Sequence, residues 1–148
     1  MQKEGLNTLI PYLTFNGNCK EAMEFYASVL GAELSIMPFR GSPAEKDVPE
    51  EYKDKVMHAR LKFENIVFFA SDTFPDREVK HGSNIALSIA ATEREQALKF
   101  FDKLSDGGQV IMPFEKAFWG AEFGMCIDRF GFQWMVDYEL PQEDSQSK

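Results

Sequence analysis

An internal repeat constrains this chain more than any other feature of its sequence. The tetrapeptide Ile-Met-Pro-Phe occupies residues 36–39 and occurs again 75 positions later, at residues 111–114. At the same spacing, residues 21–26 align with residues 96–101, with small, large apolar, charged and paired aromatic positions in the same order. Because the offset is about half of the 148 residues, the sequence predicts two duplicated modules.

Local signals within the first module predict one strand, one helix and three further strands. Residues 9–15 are short, apolar and rich in strand-forming residues, and an Asn-Gly pair after them signals a turn. Asn18 is expected to cap the following helix, with Glu21 reaching back to it and Gly31 ending it. The second module repeats this design, with Thr92 and Glu95 as a predicted capping box.

The remaining strands complete a βαβββ order in each module. They are predicted at residues 32–39, 56–63 and 66–71, and again at residues 109–114, 121–127 and 132–138. Residues 41–55 carry two prolines and eight charges, which predicts a long solvent-exposed loop. The predicted fold class is α+β, with two tandem βαβββ modules, residues 6–75 and 82–139, forming a curved mixed sheet. They make one domain of residues 1–140, followed by a polar tail of residues 141–148.

Charge and cysteine content exclude several classes of function. The 16 basic and 24 acidic residues give a formal net charge of −8 without a run of Lys or Arg, so neither nucleic acid nor a membrane surface is an expected partner. No signal peptide or membrane-spanning apolar run is recognised, which favours a cytoplasmic location. Cys19 and Cys126 lack the spacing of a zinc site, although Cys19, near a helix N-terminus, is a candidate for a lowered thiol pKa.

Six segments together resemble one known family. They are residues 11–18, 22–26, 56–59, 70–72, 119–120 and 128–135. They are similar to the PhnB-like branch of the vicinal-oxygen-chelate superfamily, which includes glyoxalases, extradiol dioxygenases and bleomycin-resistance proteins. Such sequences have also been labelled 3-demethylubiquinone methyltransferase-like. The resemblance implies the tandem βαβββ fold (the glyoxalase/bleomycin resistance/dioxygenase fold), a concave cavity and a homodimer.

Enzymes of this superfamily hold a divalent metal in the cavity through strand residues, usually His, Gln or Glu. The resemblance places these positions at Pro11 or one of its neighbours, and at Phe69, Asn84 and Met135. Only Asn84 among them offers an oxygen donor, and a weak one, whereas such metals prefer imidazole, carboxylate or thiolate ligands. We therefore expect no metal cofactor, with a divalent metal as the disfavoured alternative, and keep Phe69, Asn84 and Met135 as candidate binding positions.

Further residues are candidates to contact a ligand. His58 alternates with apolar neighbours, so its ring occupies one face of a strand as a cavity contact or acid–base group, or as a partly exposed strand histidine. Trp119 is a candidate for the pocket, whereas Trp134 is expected to be structural. Ser71 and Asp72 end a strand and are expected to present a hydroxyl and a carboxylate at the cavity rim, unless Asp72 only forms a turn.

The sequence therefore predicts a metal-free protein that binds a small molecule, whose identity it does not give. The alternative is a lyase, isomerase or transferase acting in the same cavity, with a metal or with His58 as general base. A methyltransferase is the weaker alternative. The first strand-to-helix turn, Asn-Gly-Asn at residues 16–18, lacks the glycine-rich pattern of a nucleotide-derived methyl-donor site.

Overall fold

The computed structural model describes residues 6–140, so the predicted tail lies outside the described residues. The chain divides between Lys80 and His81 into two compact units. The elements in chain order are β1 (Tyr12–Phe15), α1 (Cys19–Leu30), β2 (Glu33–Pro38), β3 (Val56–Phe63), β4 (Ile66–Asp72), β5 (Leu87–Ala91), α2 (Arg94–Ser105), β6 (Gln109–Lys116), β7 (Ala121–Ile127) and β8 (Gln133–Glu139). Within residues 6–140, no helix has the length and apolar character needed to cross a membrane.

The first unit packs one helix against one face of a mixed sheet. Its strand order is β1-β4-β3-β2, with β1 parallel to β4 and the other pairs antiparallel. Helix α1 covers the sheet because Ala22, Met23, Tyr26 and Val29 recur at helical spacing and are all buried. The ring of Tyr26 lies 5.9 Å from that of Phe68 in β4. The core of this unit therefore lies between α1 and the sheet.

The second unit repeats the arrangement with the strand order β5-β8-β7-β6. Helix α2 buries Ala97, Phe101 and Leu104. The ring of Phe101 lies 5.9 Å from that of Phe114 in β6. At Gly124 in β7, an added Cβ would come within 2.7 Å of the Phe101 ring, so the close approach of α2 to the sheet requires glycine there.

The predicted fold class is confirmed, with one βαβββ module in each unit, and Gly31 ends α1 as predicted, but the predicted N-terminal caps are wrong. Asn18 makes no side-chain capping bond, and α2 follows Glu93, which makes none either, so Thr92 and Glu95 form no capping box. In the first unit, the backbone N–H groups on both sides of Asn18 are donated to the carboxylate of Asp72 in β4. The start of α1 is thus satisfied by a distant strand, which local sequence signals do not reveal.

The segment predicted as a solvent-exposed loop, residues 41–55, is more ordered than expected. It contains two 3-10 turns, Glu45–Asp47 and Glu50–Tyr52. Val48 between them is buried, and the Tyr52 hydroxyl donates a hydrogen bond to the carbonyl oxygen of Thr73. The charges are on the surface as expected, but a few apolar side chains anchor the segment to the unit.

Candidate ligand-binding site

Each sheet has one face against its helix and one face directed away from it, the open face. In β4, every second residue is buried toward α1, which leaves Phe69 and Ser71 on the open face of the first sheet. Arg60 of β3 pairs with Phe69, and His58 lies two residues before Arg60 on the same side of that strand. Three of the residues predicted from the sequence, His58, Phe69 and Ser71, therefore share one face.

His58 lies in an aromatic cluster on this open face. Its ring centroid is 5.0 Å from that of Phe69 and 6.1 Å from that of Tyr12, and the Tyr12 and Phe69 rings are 6.4 Å apart. Tyr12 is 51% exposed. The imidazole has no hydrogen-bond partner among residues 6–140. The resemblance indicated Tyr12 only as an alternative to Pro11 for a metal-ligand position, whereas the structure makes it a partner of His58 and Phe69.

A cavity of about 420 Å³ opens on the same face beside the cluster. Its walls are residues 8–10, Arg60 and Lys62 of β3, Asn65 of the β3–β4 turn, and Val67 and Phe69 of β4. A volume of about 300–1,000 Å³ with mainly apolar walls and a few polar groups is typical of small-molecule sites. Of the predicted residues, Phe69 lines the cavity directly, and His58 adjoins it through the Phe69 ring. Sequence reasoning missed Arg60 and Lys62, although their spacing of two residues places them on one face of a strand.

Asp72 is not at a cavity rim, so that expectation is wrong. The residue is 4% exposed and its side chain points to the α1 side of the sheet. Its Oδ1 accepts the backbone N–H groups of Gly17 and Cys19, and its Oδ2 accepts that of Val56, each at 2.9 Å. The carboxylate therefore holds α1, β3 and β4 together. Ser71, by contrast, lies on the open face, opposite Thr14 of β1.

The candidates of the second unit fall in different places. Met135 lies on the open face of the second sheet, because it alternates with the buried Trp134 and Val136. Trp119, in the turn between β6 and β7, is 54% exposed and stacks edge-on against Phe123 at 5.6 Å. Trp134 is buried as expected and contributes to the core. Met135 and Trp134 therefore lie on opposite faces of the second sheet.

The resemblance implies a ligand position on a strand, but Asn84 lies outside the strands. It is exposed, and β5 begins three residues later, at Leu87. The sequence also gave no indication of Asp137, which pairs with Phe123 on the open face of the second sheet. Its Oδ1 is buried without a hydrogen-bond partner among the described residues. Such an oxygen is unusual in a folded protein and marks this carboxylate as a group able to accept a donor.

The superfamily's metal does not fit the residues at the implied ligand positions. Pro11 and Phe69 have no donor atom in their side chains, Met135 offers only a thioether sulfur, and Asn84 lies outside its strand. In the part of the chain that the structure describes, no three His, Cys, Asp or Glu side chains come together as a metal site. We therefore derive no chemical step through a metal at these positions.

Both cysteines are buried, which disfavours a role as nucleophile. Burial raises the pKa of the Cys19 thiol far above its usual value, and the negative charge of Asp72 raises it further. Burial, with a smaller contribution from Asp128, raises the pKa of Cys126 to about 11. The lowered pKa expected for Cys19 is therefore wrong, because burial of the thiol, reinforced by the Asp72 carboxylate, outweighs any effect of the helix N-terminus.

Known proteins resemble the chain over nearly its whole length. Protein YjdN from Escherichia coli (strain K12) is 30% identical over 138 residues, covering 87% of this chain and 93% of YjdN. The crystal structure of PA1353 from Pseudomonas aeruginosa is 39% identical and superposes with a TM-score of 0.82, covering 92% of this chain and all of that one. The PhnB protein from Bacillus cereus is 22% identical, with a TM-score of 0.74 and coverage of 89% and 99%.

The fold is also shared with a wider group. A glyoxalase/bleomycin resistance protein/dioxygenase family enzyme from Burkholderia phytofirmans PsJN is 12% identical, with a TM-score of 0.60 and coverage of 87% and 97%. The family model described as 3-demethylubiquinone-9 3-methyltransferase matches residues 7–137. That description names the family and does not by itself assign an activity. The chain belongs to this family and has the glyoxalase/bleomycin resistance/dioxygenase fold, in agreement with the resemblance of its sequence to the PhnB-like branch of the vicinal-oxygen-chelate superfamily.

Proposed function

We propose that this protein binds a small organic molecule in the cavity on the open face of its first sheet. The observation that carries the proposal is the cavity of about 420 Å³ that shares Phe69 with the aromatic cluster. The aromatic rings of Tyr12 and Phe69 offer apolar surface that a ligand can cover, and Arg60, Lys62 and Asn65 offer polar groups that orient it.

Simple binding fits His58 better than general-base catalysis does. A general base is normally oriented by a hydrogen bond to its second ring nitrogen. Within residues 6–140, the His58 imidazole lies against the rings of Tyr12 and Phe69 and makes no hydrogen bond. We therefore assign His58 to stacking at the edge of the site. A homodimer, which the family resemblance implies, and a cytoplasmic location belong to the same proposal. The exposed apolar side chains of edge strand β6, at residues 110–112, support the homodimer.

Binding of a neutral aromatic dye tests the site. We expect N-phenyl-1-naphthylamine to bind with saturable fluorescence enhancement, because its rings can cover the apolar wall formed by Val67 and Phe69. The Phe69→Ala variant is expected to weaken binding about tenfold, since the buried contact with one aromatic ring is lost. Phe118→Ala is the matched control, because Phe118 is 96% exposed in the second unit. Absence of saturable binding, or equal weakening by both variants, would contradict the proposed site.

The metal-free character of the site needs a separate measurement. We expect protein purified without an affinity tag or added metal to contain well below one equivalent of Zn, Ni, Mn or Fe by plasma mass spectrometry. The reason is that the implied ligand positions supply no set of strong donors. Treatment with a chelator is expected to leave the affinity for N-phenyl-1-naphthylamine unchanged. About one metal per chain, before or after readdition, would favour the metal-dependent enzyme instead.

A further inference from the structure

We infer that the ligand of the first-sheet cavity is an organic anion, whose charged group is held by Arg60 and Lys62. The inference rests on the proposed function, because it concerns the same cavity. It adds the chemical class of the ligand: an apolar or aromatic body that carries a carboxylate, sulfonate or phosphate group.

The two cations converge on the cavity because of their positions in β3. They are two residues apart in a strand, so both side chains project from the open face. Arg60 pairs with Phe69 of β4, and Lys62 pairs with Val67. All four side chains line the same cavity. One part of the wall is therefore cationic and the adjoining part is apolar.

Neither cation is neutralised by a carboxylate of the described chain. The ion pairs between residues 6 and 140 are made by Arg40, Lys53, Arg94 and Arg129. The Arg60 guanidinium makes no hydrogen bond within those residues. The Lys62 ammonium donates one, to the carbonyl oxygen of Glu64 at 3.2 Å. In a chain with a formal net charge of −8, two cations without a carboxylate partner in one cavity are a distinctive arrangement.

The acidic residues that the structure describes near the cavity form no ion pair with these two cations. Glu33 on β2 is the register partner of Lys62, and Glu64 is in the turn after β3, but neither forms an ion pair with it. Arg60 retains the planar set of donors that binds a carboxylate, sulfonate or phosphate in bidentate fashion. Lys62 retains two of its three donors for the same anion.

Two dyes with one ring system separate the contribution of charge from that of the apolar wall. 8-Anilinonaphthalene-1-sulfonate has the rings of N-phenyl-1-naphthylamine and adds a sulfonate. We expect the sulfonate dye to bind about tenfold more tightly, with an affinity that decreases as salt is added. Arg60→Gln and Lys62→Gln are each expected to weaken binding of the sulfonate dye about tenfold and to change the affinity for the neutral dye less than about twofold. Arg60→Lys keeps the charge and is expected to retain part of the affinity.

The control variant is Lys20→Gln, which removes an exposed positive charge from α1. We expect it to leave binding of both dyes unchanged. The inference is overturned if the sulfonate dye binds no more tightly than the neutral dye, or if Lys20→Gln weakens it as much as Lys62→Gln does. In either case, saturable binding of the neutral dye that depends on Phe69 would leave the proposed function standing. If neither dye binds, both the inference and the proposed function fail.

Discussion

Replacement of Asp72 by alanine is expected to lower the free energy of unfolding by about 4 kcal/mol. The buried carboxylate accepts backbone N–H groups from Gly17, Cys19 and Val56, each at 2.9 Å. Alanine would leave these three donors without an acceptor, and two of them are at the start of α1, where no other side-chain cap exists. A hydrogen bond to a charged acceptor contributes about 1.5–3 kcal/mol, and the three losses are less than additive because they share one carboxylate.

Urea unfolding followed by far-ultraviolet circular dichroism measures this effect. Asp72→Asn is expected to lower the free energy of unfolding by only about 2 kcal/mol, because asparagine keeps one acceptor oxygen and the shape of the side chain. Asp76→Ala is the matched control, since Asp76 is exposed four residues away, and it should stay within about 0.5 kcal/mol of the parent. A loss below about 1 kcal/mol for Asp72→Ala would mean that water or another group replaces the carboxylate at these donors.

The role of Asp72 shows what the sequence does and does not predict about the fold. The repeat at residues 36–39 and 111–114, with the helical spacing of apolar residues, predicted the βαβββ order, because both signals are local or periodic. The cap of α1 was assigned to Asn18, which stands at the right place in sequence. The actual acceptor is more than 50 residues away and reaches the helix only when β4 pairs with β1. Long-range hydrogen bonds of this kind leave no pattern in a single sequence.

The sequence predicts those features of the site that depend on the alternation of side chains along a single strand. Alternation along one strand put His58 on a single face, and the resemblance indicated Phe69. The side chains that meet across strands depend on the register between the strands. The register of β4 with β1 and β3 places both Tyr12 and Arg60 next to Phe69. The ligand position placed at Asn84 was wrong because the resemblance fixes a place in the sequence and not the residue at which β5 begins. The spacing of Arg60 and Lys62 puts them on one face of β3, but only the pairing of β3 with β4 shows that they lie beside Val67 and Phe69.

Asp128 has a comparable role in the second unit, where its replacement by alanine is expected to lower the free energy of unfolding by about 3 kcal/mol. It is 2% exposed, and its Oδ1 accepts the backbone N–H groups of Phe130 and Phe132 at 2.8 and 3.0 Å. Its Oδ2 accepts the indole N–H of Trp134 at 2.7 Å. The carboxylate therefore fixes the turn that leads into β8 and orients the largest side chain of that strand.

A double-mutant cycle with Trp134→Phe separates the turn from the indole bond. Trp134→Phe is expected to lower the free energy of unfolding by about 2 kcal/mol, because the hydrogen bond is lost and the ring is smaller. Urea unfolding followed by circular dichroism measures this change. The double variant should lose less than the sum of the single losses, because Asp128→Ala already removes the acceptor of the indole N–H. Asp102→Ala, at an exposed position of α2, controls for the lost charge. Strictly additive losses would show that the indole bond contributes nothing, and the stability of this turn would then come from its backbone donors alone.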